Sequence, residues 1–273
     1  MLPRSAKVAA VAALLAASAV PASLFAPSAQ AGVTFSAYHG VTSDQHSRLF
    51  HELRAKGYRP ITVNVSQGPR YAGVWVKGAS RPWVLLRGMS DSVFQDRFDE
   101  YLEKGYQPVS VSATGTAGDD AVFAVIWEKR SERFLSRKGM TGEQFEAANR
   151  TAAAQGLVPV SIDVYGTADD PRYVAVWRQG TGSWYYTYGK SVAGQEKEFA
   201  ARTAKGYRPT LTAVGPDGTY TAVWRKDGGG AWMHYIDMSS AEYQQRFDAF
   251  KAKGLYPVQV NTEAGRYAAV WES

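Results

Sequence analysis

Few residues in this chain could do chemistry, and none of them has the spacing that its chemistry requires. A serine nucleophile of the Ser-x-x-Lys kind needs a lysine one helical turn on, and no serine here has lysine at the third following position. Gly88-Met89-Ser90-Asp91-Ser92 begins like the Gly-x-Ser-x-Gly elbow that exposes a nucleophile, but a serine stands where the last glycine is needed. His46 and His51 are five apart, off the spacing of four that sets two imidazoles side by side, and His-Glu-x-x-His does not occur. Asp119-Asp120 and Asp169-Asp170 fall in turns, where aspartate favours local backbone bonding, and they lack the ordered ligand series of a calcium loop. Cysteine is absent, which removes disulfides, thiol nucleophiles and thiolate metal sites. No catalytic residue, no metal and no cofactor is assigned from the sequence.

What the sequence does specify is a repeat. Gly57-Tyr58-Arg59-Pro60, Gly105-Tyr106-Gln107-Pro108, Gly156-Leu157-Val158-Pro159, Gly206-Tyr207-Arg208-Pro209 and Gly254-Leu255-Tyr256-Pro257 recur at steps of 48, 51, 50 and 48 residues. Fifteen residues before each glycine stands a hydroxyl side chain, Thr42, Ser90, Thr141, Ser191 or Ser239, suited to cap the first turn of a helix. Gln45, Gln144 and Glu242 complete capping boxes in three copies. The glycine ends the helix in the left-handed conformation, and the proline prevents it from resuming. Alternation as in Ile61, Val63 and Val65 then predicts a strand, and a turn leads to a second strand ending in Trp75, Trp127, Trp177, Trp224 or Trp271. A third strand begins at an aromatic twenty-two positions before the next glycine, at Trp83, Phe134, Trp184 and Trp232.

The same count back from Gly57 lands on Phe35, while the fifth copy stops at Ser273 without a third strand after it. The expected fold is therefore an α+β repeat protein of five units, each with one helix and a three-stranded antiparallel sheet. It is expected to close into a propeller-like ring in which the N-terminal strand completes the last unit. On this reading the units are 41–88, 89–139, 140–189, 190–237, and 238–273 plus 33–40, together one domain over 33–273. Residues 1–31 read as a secretory signal peptide: Arg4 and Lys7, an apolar run from Val8 to Val20, and Ala29-Gln30-Ala31 for cleavage. That run is too short to span a bilayer, so the expected location is extracellular, with no membrane span. The formal charge of +6 is modest and spread among acidic residues, which argues against a nucleic-acid partner.

The cap–helix–Gly-Tyr-Arg-Pro segment, the alternating strand and the Ala-Val-Trp ending together resemble the bacterial tandem repeat domain of secreted proteins. Related repeats form the non-catalytic amino-terminal region of polyglycine hydrolases, whose catalytic half resembles serine β-lactamases. The resemblance covers 33–273 and implies an extracellular module that positions or recognises a substrate. It carries over no catalytic residue, since Ser-x-x-Lys is missing.

Positions that vary between copies are the ones free for recognition. In the third strand one series reads Ala37, Leu85, Ser136, Tyr186 and His234, and the next on the same face reads His39, Arg87, Lys138, Tyr188 and Ile236. If those strands adjoin, Tyr186, Tyr188, His234, Arg87 and Lys138 form an aromatic and cationic patch for a glycan or peptide. The leading function is a secreted, non-enzymatic module that binds an extracellular protein or polysaccharide, with a separate hydrolase as one candidate partner. Two alternatives stay open: a secreted hydrolase with a site assembled between repeats, and a proteinaceous inhibitor of such an enzyme.

Overall fold

The computed structural model describes residues 33–118 and 120–273, so residues 1–32, with the expected signal peptide, and Asp119 lie outside the described residues. The first unit runs β1 (Phe35–Val41), α1 (Ser43–Ala55), β2 (Tyr58–Ser66) and β3 (Arg70–Lys77). The second has β4 (Trp83–Met89), α2 (Asp91–Glu103), β5 (Tyr106–Thr114) and β6 (Val122–Lys129), and the third β7 (Phe134–Met140), α3 (Gly142–Ala154), β8 (Leu157–Gly166) and β9 (Pro171–Gln179). The fourth has β10 (Ser183–Lys190), α4 (Val192–Thr203), β11 (Arg208–Val214) and β12 (Tyr220–Lys226), and the fifth β13 (Trp232–Met238), α5 (Ser240–Lys251), β14 (Tyr256–Glu263) and β15 (Arg266–Glu272).

Helix ends form as their residues dictate. Thr42, Ser90, Thr141, Ser191 and Ser239 each accept a first-turn backbone N–H, and the boxes with Gln45, Gln144 and Glu242 are closed. Gly57, Gly105, Gly156, Gly206 and Gly254 all have φ between 67° and 79°, where a β-carbon would be strained.

Each unit is a separate three-stranded antiparallel sheet, in the order β1-β3-β2 for the first unit and likewise for the others. This corrects the expected assignment of the N-terminal strand. β1 pairs with β3, Phe35 opposite Val76 and Ala37 opposite Val74, so it completes the first unit, and β13 completes the fifth. The unit boundaries shift by one strand accordingly. Tether length is the physical reason. Only Thr42 separates β1 from α1, whereas five residues separate β3 from β4, so the third strand travels with the helix that follows it. That helix packs on its own hairpin, and the strand lands beside it.

Among the described residues no strand pair passes between units; neighbouring sheets are joined by packing. Five apolar cores are each shared by two units: first with second, second with third, third with fourth, fourth with fifth, and fifth with first. In the last of these, Ala72 and Val74 of β3 pack with Met238, Tyr243, Phe250 and Trp271. The strand-ending tryptophans Trp75, Trp127, Trp177, Trp224 and Trp271 are all fully buried. Trp271 sits 5.1 Å from the Phe250 ring and 5.9 Å from that of Tyr243. Trp271→Ala is expected to cost about 3–5 kcal/mol, read as a shift in the urea midpoint at constant slope.

Asn149 stands where the other helices carry Phe50, Phe98, Phe199 and Phe247, and its Oδ1 accepts from the Trp177 indole N–H at 2.8 Å. That bond is the reason a polar residue is tolerated in this core.

Candidate functional site

The inner edge strands β2, β5, β8, β11 and β14 lie side by side without forming a ladder, so their backbone N–H groups need other acceptors. Side chains of the next unit supply them. Val65 N–H donates to Ser112 Oγ at 2.9 Å, Ala113 N–H to Asp163 Oδ2 at 3.0 Å, Val214 N–H to Asn261 Oδ1 at 2.8 Å, and Thr262 N–H of the last unit to Asn64 Oδ1 of the first at 3.1 Å. The fourth unit has Ala213 at this position, which can accept nothing, and Val164 N–H turns to its own Asp163 Oδ1 at 2.9 Å. Asn261 donates its Nδ2–H to the same Asp163 oxygen at 2.7 Å, from the fifth unit to the third.

Asp163 is thus a buried hub that also accepts from Ser112 Oγ. Burial is the main influence on it and raises its pKa to about 6, against the lowering effect of its donors. Glu263 is likewise buried, accepts from Thr114 Oγ1 at 3.0 Å, and is pushed up to about 7 by burial, with the nearby Asp163 charge adding to the rise. Two carboxylates with raised pKa values invite a catalytic reading. The geometry opposes it. Four donors occupy Asp163, and the adjacent cavity between the five inner strands holds only about 50 Å³, room for a few water molecules. Sequence reasoning missed both carboxylates, although the series Asn64, Ser112, Asp163, Ala213, Asn261 across the copies was a readable signal of a polar row inside a strand.

The five residues expected to form a patch are spread over four junctions, with Tyr186 and Tyr188 sharing one. The third strands are the outer edges of their sheets, separated from one another by helices, and each reaches the helix of the preceding unit. Arg87 on β4 donates to Ser43 Oγ of α1 at 3.4 Å and to Ser47 Oγ. Lys138 on β7 pairs with Asp91 Oδ2 of α2 at 2.5 Å. Tyr188 on β10 donates to Glu146 Oε2 of α3 at 3.3 Å, and His39 on β1 contacts Gln244 Oε1 of α5 at 3.0 Å. These positions vary because each junction uses its own matched pair. His234 on β13 lies flat against Phe199 of α4, 5.7 Å away at 11°, its Nε2 2.8 Å from Thr212 Oγ1, and burial lowers its pKa.

Only Tyr186 and Tyr188 of the five touch one another. Their rings are 6.5 Å apart and within 16° of parallel, and Tyr186 also meets the edge of Phe145 at 5.9 Å. Both are half-buried. They line an open recess of about 480 Å³ with Glu146, Tyr185 and Lys190. Glu146 is held by Arg150 at 3.0 Å, and Tyr185 is covered by the Arg202 guanidinium 3.4 Å from its ring centre. Such a recess can take a flat, partly apolar face and offers charges of both signs at its rim.

Separate sheets, shared cores and matched junction pairs define a tandem-repeat scaffold whose units differ at their outer strands. Residues 32–78, 80–130, 133–180, 181–227 and 229–273 each match the family model of the polyglycine hydrolase-like structural repeat, every match running from an outer strand to the end of its hairpin. The chain belongs to that family.

Proposed function

We propose that the protein is a secreted, non-enzymatic repeat module, closed into a ring, that binds an extracellular protein or polysaccharide in the Tyr186–Tyr188 recess. The observation that carries the reading is the pair of near-parallel tyrosine faces left half-exposed in a 480 Å³ concavity, in a scaffold whose other large aromatics are mostly spent on cores. Aromatic faces give broad contact at low entropy cost, and Glu146 and Lys190 supply direction. Export rests on the leader-like residues 1–31, and closure on the core and hydrogen bond shared by the first and fifth units.

The test is a quantitative pull-down with residues 32–273, offering insoluble cell-wall polysaccharides and concentrated secreted proteins side by side. Saturable retention by one fraction is expected, weakened at least tenfold by Tyr188→Leu, a variant that also gives up the junction bond to Glu146 and should still unfold cooperatively. Tyr186→Phe, which keeps the ring, should retain binding. Retention that survives Tyr188→Leu would move the ligand elsewhere, and no retention by either fraction would sink the binding reading.

A further inference from the structure

Two units carry the same Gly-Tyr-Arg-Pro segment, and their arginines end in different company. Arg208 of the fourth unit is fully engaged: Nε and Nη2 donate to Asp227 Oδ1 and Oδ2 at 2.7 and 3.0 Å, while Nη1 pairs with Glu272 of the next unit. Arg59 of the first unit points its Nη1 in the same way at the next unit's Glu128, 3.7 Å away. Its other edge has no carboxylate. Gly78 stands where the fourth unit has Asp227, each three residues after the strand-ending tryptophan, and the Arg59 Nε–H is buried without a partner among the described residues.

The surrounding residues change in the same sense. The Arg59 pocket, about 480 Å³, is lined by Arg54, Arg81, Tyr58 and Trp83 and by no carboxylate. The sister pocket has Thr203 in place of Arg54 and Gly230 in place of Arg81. Arg54 lies over the Trp83 ring at 5.7 Å, and Arg81 reaches Glu132 only at 3.5 Å. Glu132 is shared with Arg130, and Glu128 is held by the same Arg130 at 2.6 Å, so the nearby acids are already engaged. Relative to the sister pocket, one acid is lost, two cations are gained and one, Arg225, is replaced by Val76, which leaves a preformed fork for an external carboxylate.

We infer that the pocket around Arg59, between the first and second units, binds a carboxylate presented by an acidic polypeptide segment, seated on the Nε/Nη2 edge as Asp227 is seated on Arg208. A peptide is favoured because the sister pocket is filled by an aspartate on a glycine loop, Asp227-Gly228-Gly229. This site is separate from the tyrosine recess and stands whether or not that recess binds.

The experiment follows arginine Nε–H resonances by NMR while the peptide acetyl-Lys-Asp-Gly-Gly-Gly-amide, or its Asn counterpart, is titrated at low salt. The Asp peptide should shift Arg59 saturably and the Asn peptide should not, with affinity falling at least tenfold in Arg59→Gln when read at Arg54. Asp227→Gly should vacate the sister fork, so that Arg208 becomes a second responding arginine. An unmoved Arg59, equal response to both peptides, or a silent Arg208 in folded Asp227→Gly would each overturn the inference. So would inorganic phosphate or oligogalacturonate saturating Arg59 at lower concentration than the peptide, which would assign the pocket to a phosphate or an acidic glycan.

Discussion

Val74→Asp is expected to cost at least about 4 kcal/mol or to abolish cooperative unfolding at 25 °C, the tail that buried unpaired charge produces. Val74 is 0 % exposed, and what covers it is the fifth unit: it shares a core with Tyr243, Phe250 and Trp271 across the junction of the chain's two ends. Its counterpart in the third unit, Val176, is equally buried against the second unit, in a core with Phe94, Phe123 and Trp127. In a ring the two positions are equivalent, so Val74→Asp and Val176→Asp should be about equally severe. In an open array Val74 would face solvent at one end, and its aspartate variant would be nearly silent while Val176→Asp remained damaging. Urea unfolding of both variants separates the cases.

Local features were legible in the sequence because their causes are local. Thr42, Ser90, Thr141, Ser191 and Ser239 cap helices, and the anchor glycines end them, for reasons contained within a few residues. The third strand was found but attached to the wrong hairpin, because a period fixes the content of a repeat and leaves its phase open. Phase is set by the one-residue link between β1 and α1, which ties the strand to the helix that follows it. The outer-strand residues showed why variation is an ambiguous sign of a site. Arg87, Lys138 and Tyr188 differ because their partners Ser47, Asp91 and Glu146 differ, and that pairing spans a unit boundary. Arg59 looked identical to Arg208 in its tetrapeptide; the difference lies nineteen residues later, at Gly78 and Asp227.

Stability should be nearly independent of pH between about 4.5 and 6, because two pairs of buried groups oppose one another. Asp163 and Glu263 have folded pKa values raised to about 6 and 7, mainly by burial, from ordinary values near 4. Their stabilising effect is fully present below about pH 4 and is lost as the pH rises through 6 and 7, because the fold then holds charges that the unfolded chain hydrates freely. His46 is lowered to about 4 by burial and secondarily by Arg87, and burial lowers His234 as well. Their contribution is present above about 6.5 and is lost as the pH falls, since the unfolded chain takes up protons that the fold refuses. Within the window the folded state holds two extra carboxyl protons and the unfolded state two extra imidazole protons, so the slopes cancel. Glu263→Gln removes one carboxyl and keeps an oxygen to accept from Thr114 Oγ1. Stability of the variant should then rise by about 1.4 kcal/mol per pH unit across the window. Above about pH 7.5 the variant should be about 1–2 kcal/mol more stable than the parent, relief of a buried charge offset by the new amide N–H groups. Urea midpoints from pH 4.5 to 8 decide it, and parallel curves for parent and variant would show that Glu263 ionises as freely in the fold as in water.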